Sequence, residues 1–234
     1  LYTGLRLGEK APGDRPYVVC NFVSSADGKA TASGKTAKLG GEGDRAAFHL
    51  LRTQVDAILA GTGTLRVERY GALARRDPLK QVRLDEGRAA QPLGVVISRS
   101  GDIPFDIPLF ADPDSTVAIY THRDAVMPAT AARLIVHELP GGESELRAVL
   151  TSLRHDHGVD AVLCEGGPAL FNALLAEDLV DELFLTLAPA LVGGGELGLT
   201  SGQALDSLLP LKLVWALEQD GHLFLRYARR RAKS

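Results

Sequence analysis

The residues best able to do chemistry lie where apolar runs break off into small and charged ones. In "CEGGPALFNALL" a buried-looking run ends at Cys164, and Glu165, Gly166, Gly167 and Pro168 follow before a helical pattern starts. Gly166 and Gly167 lack a Cβ, so backbone can approach a ligand closely and take positive φ. Pro168 suits the first helical position, where its missing N–H costs nothing. The free N–H groups of residues 169–171, beginning with Ala169 and Leu170, then point at whatever lies above, and a pyrophosphate suits that place. A tight strand-to-helix connection with no ligand is the other reading. Glu165 weighs against it, because an acid at a strand's end is expensive unless it binds something.

Two more strand exits carry unusual residues. "GTGTLRVE" (61–68) offers Thr62 and Thr64 as helix caps or phosphate ligands, although it is neither a G-x-G-x-x-G fingerprint nor a Walker loop with its Lys. "SRSGD" (98–102) brings Ser98, Arg99 and Ser100, a set suited to the ribose 2′-phosphate that distinguishes NADPH from NADH. A surface Arg in a Ser/Gly turn is the alternative there. Two glycine-rich exits on parallel strands point to a dinucleotide, since open α/β sheets bind ligands at the carboxyl ends of their strands.

The elements that must position these turns are legible from spacing. "PYVVCNFVSS" (16–25) reads as a buried strand, followed by a Gly/Ser/Thr-rich loop. A helix is expected over Glu42–Arg52, then strands at 55–61, 93–98, 115–121 and 133–139. The charged segment 74–92, with Asp77-Pro78 and Gly87, reads as a surface loop. A helix over 143–158, the strand "VDAVLC", the quoted turn with its helix, and the strand "DELFLTLAPAL" follow. The chain closes with a hairpin about "QDG", Asp-Gly being a strong turn signal. "VGGGELGLTSG" (192–202) reads as a mobile loop or a phosphate cradle. Alternating strands and helices imply an α/β fold with a largely parallel sheet and an antiparallel closing hairpin, in one domain over 1–234.

Bulk properties narrow the classes. The 234 residues are 45% hydrophobic and 24% charged, an ordinary globular balance. A net charge of −3 gives no electrostatic case for nucleic acid or anionic membrane. The basic stretch Arg226–Lys233 reads as a solvated end. No apolar stretch approaches a membrane span and no signal-like segment opens the chain, so a cytoplasmic protein is expected. Cys20 and Cys164 suit buried thiols in a reducing compartment. No metal centre is expected: the six histidines are scattered, and His155 and His157, two apart on one helix, face different sides. Zinc-deaminase and G-x-S-x-G signatures are absent.

"SSADGKATASGKT", "LRTQVDAILAGTGT" and "CEGGPALFNALLAEDLVDELFLTLAPALVGGG" together resemble the reductase domain of bacterial riboflavin biosynthesis, from Pro16 to Tyr227 in unbroken order. The resemblance implies a dihydrofolate reductase-like three-layer fold and a homodimer. It also implies NADPH-dependent reduction of the small molecule 5-amino-6-(5-phosphoribosylamino)uracil by direct hydride transfer to the sugar C1′. By the same resemblance, Gly167, Pro168, Ala169 and Leu170 form the pyrophosphate cradle, with Thr64 on the cofactor's other side; Gly166 is a further candidate for cofactor binding. Glu68, Ser98 and Arg99 fall in the cofactor region. Lys29, Thr36, Arg52, Arg75 and Glu165 fall where the family contacts substrate. A Lys–Arg pair suits a sugar phosphate, and a carboxylate suits the N–H donors of an aminouracil.

Asp27, Lys29 and Glu165 are the candidate proton donors, Asp27 equally reading as an Asx turn before Gly28. The chain departs from the family's pattern on the substrate side. Glu68 replaces an Asp, Tyr70-Gly71 replaces a proline stretch, Ser98 replaces an Asp, and Ala74 or Arg76 can hold the register given to Arg75. Those departures keep two other readings open: a reductase of another heterocycle such as dihydrofolate, and an NADPH-binding sensor without turnover. The hairpin residues Trp215, Phe224 and Tyr227 are candidates for a dimer face or for ordinary core.

Overall fold

The computed structural model describes residues 2–75, 77–122, 126–139 and 145–231. In chain order the elements are β1 (Tyr17–Ser25), α1 (Glu42–Thr53), β2 (Ala57–Gly61), α2 (Thr62–Glu68) and α3 (Asp77–Asp85). Then come β3 (Leu93–Ser98), β4 (Thr116–Thr121), β5 (Arg133–Glu138), α4 (Glu145–His157) and β6 (Ala161–Cys164). The last are α5 (Pro168–Ala176), β7 (Glu182–Ala188), β8 (Leu211–Gln219) and β9 (His222–Arg229). The mostly parallel α/β class with an antiparallel C-terminal hairpin is the one expected. The chain forms two compact units, one from residues up to Tyr17 and His49–Leu163, the other from Val18–Phe48 and Cys164 onward.

In the first unit the strand order is β5-β4-β3-β2-β6, and β2 with β3, β3 with β4, and β4 with β5 pair in parallel. Val95, Val96, Val117, Ala118 and Ile119 are each at most 1% exposed, as in a parallel strand covered on both faces. β5 is the edge, with Leu134, Ile135 and His137 half-buried and the rest exposed. Asp56 fixes the β6 entry, its Oδ2 accepting the amides of Asp160 and Ala161 at 3.0 and 2.9 Å.

The second unit orders its strands β1-β7-β9-β8, with β7 parallel to β1 and antiparallel to β9. The hairpin turn has both Asp220 (φ 51°) and Gly221 (φ 77°) in the left-handed region, which matches the twist of the flanking strands. A bulge between Leu213 and Trp215 interrupts the β8–β9 ladder. Phe22 and Phe171 pack with ring centroids 4.6 Å apart, seating α5.

Three sequence expectations change. The segment 74–92 is no simple surface loop: Asp77–Asp85 is helical, and Arg83 is 1% exposed. Asp77-Pro78 is a helix start there, the acid in the first turn and Pro where no N–H is needed. Arg83 donates to the carbonyls of Arg52 and Val55 at 2.8 and 2.6 Å, which anchors α3. The glycine-rich exit at 61–68 is a seven-residue helix. The basic stretch is not a solvated end either. Arg226 forms a buried two-pronged pair with Glu182 at 2.7 and 2.9 Å, and Arg229 and Arg231 both bind Asp178. Lys233 lies outside the described residues, as do residues 143–144 of the expected helix.

Candidate functional site

In the second unit the turn after β1 is fastened to the glycine-rich segment after β7. Ser25 Oγ donates to Asp27 Oδ1 at 2.5 Å, and the Asp27 carboxylate accepts the amides of Val192 and Gly193 at 3.1 and 2.7 Å. The Ser25 hydroxyl first, then those two amides, hold the Asp27 carboxyl at about 2, far below the ordinary range. Asp27 is therefore an ionised acceptor at neutral pH, which makes it a poor proton donor and a good anchor. Lys29 Nζ donates to the Gly194 carbonyl at 3.0 Å. Further along, Glu196 accepts the Thr31 hydroxyl at 2.6 Å and the Gly34 amide at 3.3 Å, and its pKa is lowered chiefly by Thr31. Ala30 N donates to Leu197 O at 2.7 Å.

The segment expected to be a mobile loop is thus stitched to residues 25–34. Glu196 is a residue that sequence reasoning missed, because its partners lie far away along the chain. Thr36 begins a short 3-10 turn (Thr36–Lys38), its carbonyl taking the Leu39 amide at 2.9 Å.

The α5 start has the features of an anion seat. Gly166 sits at φ 111°, a conformation that favours glycine, and Gly167 is the N-cap residue with no side-chain cap. Pro168 occupies the first turn, which holds no acid, so no carboxylate of that turn offsets the helix dipole. Glu165, preceding the glycines, is 8% exposed. Residues 201–203 are tied to the same helix by Ser201 N to Pro168 O (3.2 Å) and Asn172 Nδ2 to Gln203 O (3.0 Å).

In the first unit Thr62 and Thr64 lie in the first turn of α2, again without a side-chain cap, and half-buried Glu68 is its last residue. Ser98 is buried at the end of β3. Exposed Arg99 follows and pairs with Glu145 at 2.9 Å. Arg75 is exposed and makes no ion pair among the described residues. Its neighbour Ala74 is held by Gln91 through bonds of 2.8 and 3.0 Å. Arg76, the other candidate for that register, lies outside the described residues.

Arg52, an expected substrate contact, lies against the 70–74 segment. It is 3% exposed, donates to the Leu73 carbonyl at 3.1 Å and lies 5.1 Å over the Tyr70 ring. It acts on the 70–74 backbone, and so on the segment that presents Arg75.

In the second unit, an acid-free helix start behind a positive-φ glycine could seat a phosphate group; in the first, taken by itself, a Ser-Arg pair at a strand exit could do the same. Among the described residues no group of three or more histidines, cysteines or carboxylates is placed to hold a metal.

The model of the RibD C-terminal domain matches residues 16–223. A 2,5-diamino-6-ribosylamino-4(3H)-pyrimidinone 5′-phosphate reductase of Methanothermobacter thermautotrophicus is 29% identical over 226 residues, covering 88% of this chain and 95% of that protein. The riboflavin biosynthesis protein RibD of Mycobacterium tuberculosis is 32% identical over 182 residues, 76% of this chain but 44% of that protein. The crystal structure of a pyrimidine reductase-like protein from Corynebacterium diphtheriae superposes with a TM-score of 0.77 at 25% identity, covering 94% of each chain.

Proposed function

We propose, from the premise that this chain belongs to the RibD C-terminal domain family, that it is the pyrimidine reductase of riboflavin biosynthesis, working with NADPH in the cytoplasm. The substrate is 5-amino-6-(5-phosphoribosylamino)uracil, reduced at the sugar C1′. The observation that carries the reading is the uncapped start of α5 behind Gly166 at φ 111°, with Glu165 at its lip. The dihydrofolate reductase-like fold and the enzyme's class as an oxidoreductase go with the family. The free, fully buried Cys20 and Cys164 suit a reducing compartment.

When bound, NADPH supplies the hydride from nicotinamide C4. In the second unit Gly167, Pro168, Ala169 and Leu170 receive its pyrophosphate. In the first, Thr64, Glu68, Ser98 and Arg99 are the residues that would serve the cofactor. Arg75 grips the substrate phosphate, and Arg52 positions the segment bearing it. Glu165 accepts N–H donors of the pyrimidine, while Thr36 and Lys29 bind the sugar side. Lys29 or Glu165 gives the proton that accompanies hydride transfer, and Asp27 anchors the turn that presents Lys29.

A second reading concerns the pyrimidine. The relative matched over 95% of its length is named for the diamino compound, which carries an amino group where the uracil has an oxygen. NADPH oxidation should be followed with freshly made uracil and diamino substrates, beside dihydrofolate. Turnover of the uracil compound supports the proposal; preference for the diamino compound moves this chain to that step. Tight NADPH binding without turnover of any of them overturns the enzymatic reading in favour of a sensor.

The active form is a homodimer closed by β8, whose Leu211, Leu213, Val214 and Leu217 are 38–49% exposed on an edge strand. Phe224, by contrast, is core at 5% exposure, and Trp215 packs edge-on against Phe184 at 5.9 Å. Light scattering of the wild type and of Leu213→Glu tests the dimer, which the charge should split.

A further inference from the structure

Two histidines that the proposed reaction does not use meet in the first unit. His137 belongs to the edge strand β5 and His157 closes α4, and their Nε2 atoms are 2.8 Å apart. The rings meet edge-on, with centroids 4.9 Å apart. His137 stacks on Tyr120 at 4.7 Å, and the Tyr120 hydroxyl lies 3.0 Å from Ser152 Oγ, which donates to Asp156. Both side chains are thereby held in place, one by a ring face and one by a helix terminus. His157 also lines a cleft of about 640 Å³ with Asp114, Thr116, Lys80 and Gln91, so one member of the pair borders open space.

With both rings neutral, one Nε2–H donates to the other Nε2. If that proton sits on Nδ1 instead, both Nε2 atoms carry a lone pair that a modest rotation of the rings would turn toward a shared ion, and no proton has to leave the protein. Two nitrogens bound at about 2.0–2.1 Å to one ion, at right angles to each other, lie roughly 2.9 Å apart. The observed separation matches that edge; a tetrahedral ion would require roughly 3.3 Å.

We propose that His137 and His157 form a two-histidine site for a divalent transition cation of square or octahedral preference, Cu²⁺ or Ni²⁺. Water from the cleft completes the coordination sphere, because among the described residues no third histidine, cysteine or carboxylate converges there. The ion ties the edge strand to the end of α4. The sequence hides the pair: along α4 His157 has only His155 to pair with, while its real partner comes from a strand 20 residues earlier.

The test is titration of the untagged full-length chain with NiCl₂ and CuCl₂ by calorimetry and thermal melting. One ion per chain should bind in the micromolar range, raising Tm by about 5 °C at roughly a hundredfold excess over Kd. His137→Gln and His157→Gln should each weaken binding more than about tenfold, and His155→Gln should leave it unchanged. Should either variant fold poorly, Cu²⁺ electron paramagnetic resonance on the wild type decides, two equivalent nitrogens being the expected pattern. No saturable binding up to roughly 1 mM, a spectrum with fewer than two nitrogens, or binding that survives both Gln substitutions would overturn the site.

Discussion

Asp27 holds the amide of Gly193 at 2.7 Å, joining the turn after β1 to the glycine-rich segment after β7. The next residue along that segment, Gly194, receives the ammonium of Lys29. One carboxylate thus determines where the lysine's docking carbonyl sits.

Replacing Asp27 with Asn leaves one acceptor oxygen where the carboxylate offers Oδ1 to Val192 and Oδ2 to Gly193, without changing size. The amides of Val192 and Gly193 should then exchange faster with solvent, and KM for the pyrimidine should rise by about 3- to 10-fold while NADPH affinity holds. Because the folded carboxyl titrates at about 2 instead of its ordinary 3.8, its contribution is complete above about pH 4 and disappears as pH falls toward 2. Amide exchange at Gly193 that is the same in wild type and variant would remove the anchoring role.

Lys29→Ala and Glu165→Gln separate binding from proton supply. Each should lower kcat by about 10²- to 10⁴-fold if it donates the proton, with NADPH binding by fluorescence unchanged. A loss confined to KM in one of them marks it as a binding group and leaves the other as donor.

The Arg226–Glu182 pair is buried, with side-chain exposures of 11% and 4%. Glu182→Gln leaves the guanidinium without its counter-charge and should cost about 3–5 kcal/mol, read from the urea midpoint. The double change to Met and Leu should recover most of that loss, since neither charge then remains buried.

Acid acts on the histidine pair. Burial first, and His137 second, lower the pKa of His157 below its ordinary 6.5. The unfolded chain therefore binds more protons than the folded one, and stability falls as pH drops through 6.5 toward the folded value. His157→Gln should flatten that part of the stability profile, measured without added metal; a variant as pH-sensitive as the wild type would contradict this.

Elements whose signals are local were legible in the sequence. The Asp220-Gly221 turn, the Gly-Gly-Pro entry to α5 and the apolar runs of β2, β3 and β4 each depend on neighbours within a few residues. Asp77-Pro78 was equally local but ambiguous, since the same dipeptide begins turns and helices; Arg83, polar by type and buried in fact, obscured the choice. What could not be read is long-range pairing. Glu196 with Thr31, His137 with His157 and Arg52 with Leu73 depend on the register of distant segments, and no spacing along the chain encodes them.

The pairing of β1 with β7 bears on how the protein is made. Val18 donates to Asp181, 163 positions away, and the strand between those residues and Ser25 is apolar. On the ribosome, β1 waits for the 163 positions up to Asp181 to be synthesised before its partner strand exists. The nascent protein should depend on chaperone shelter through that interval, and slowing translation after residue 25 should lower the yield of folded enzyme.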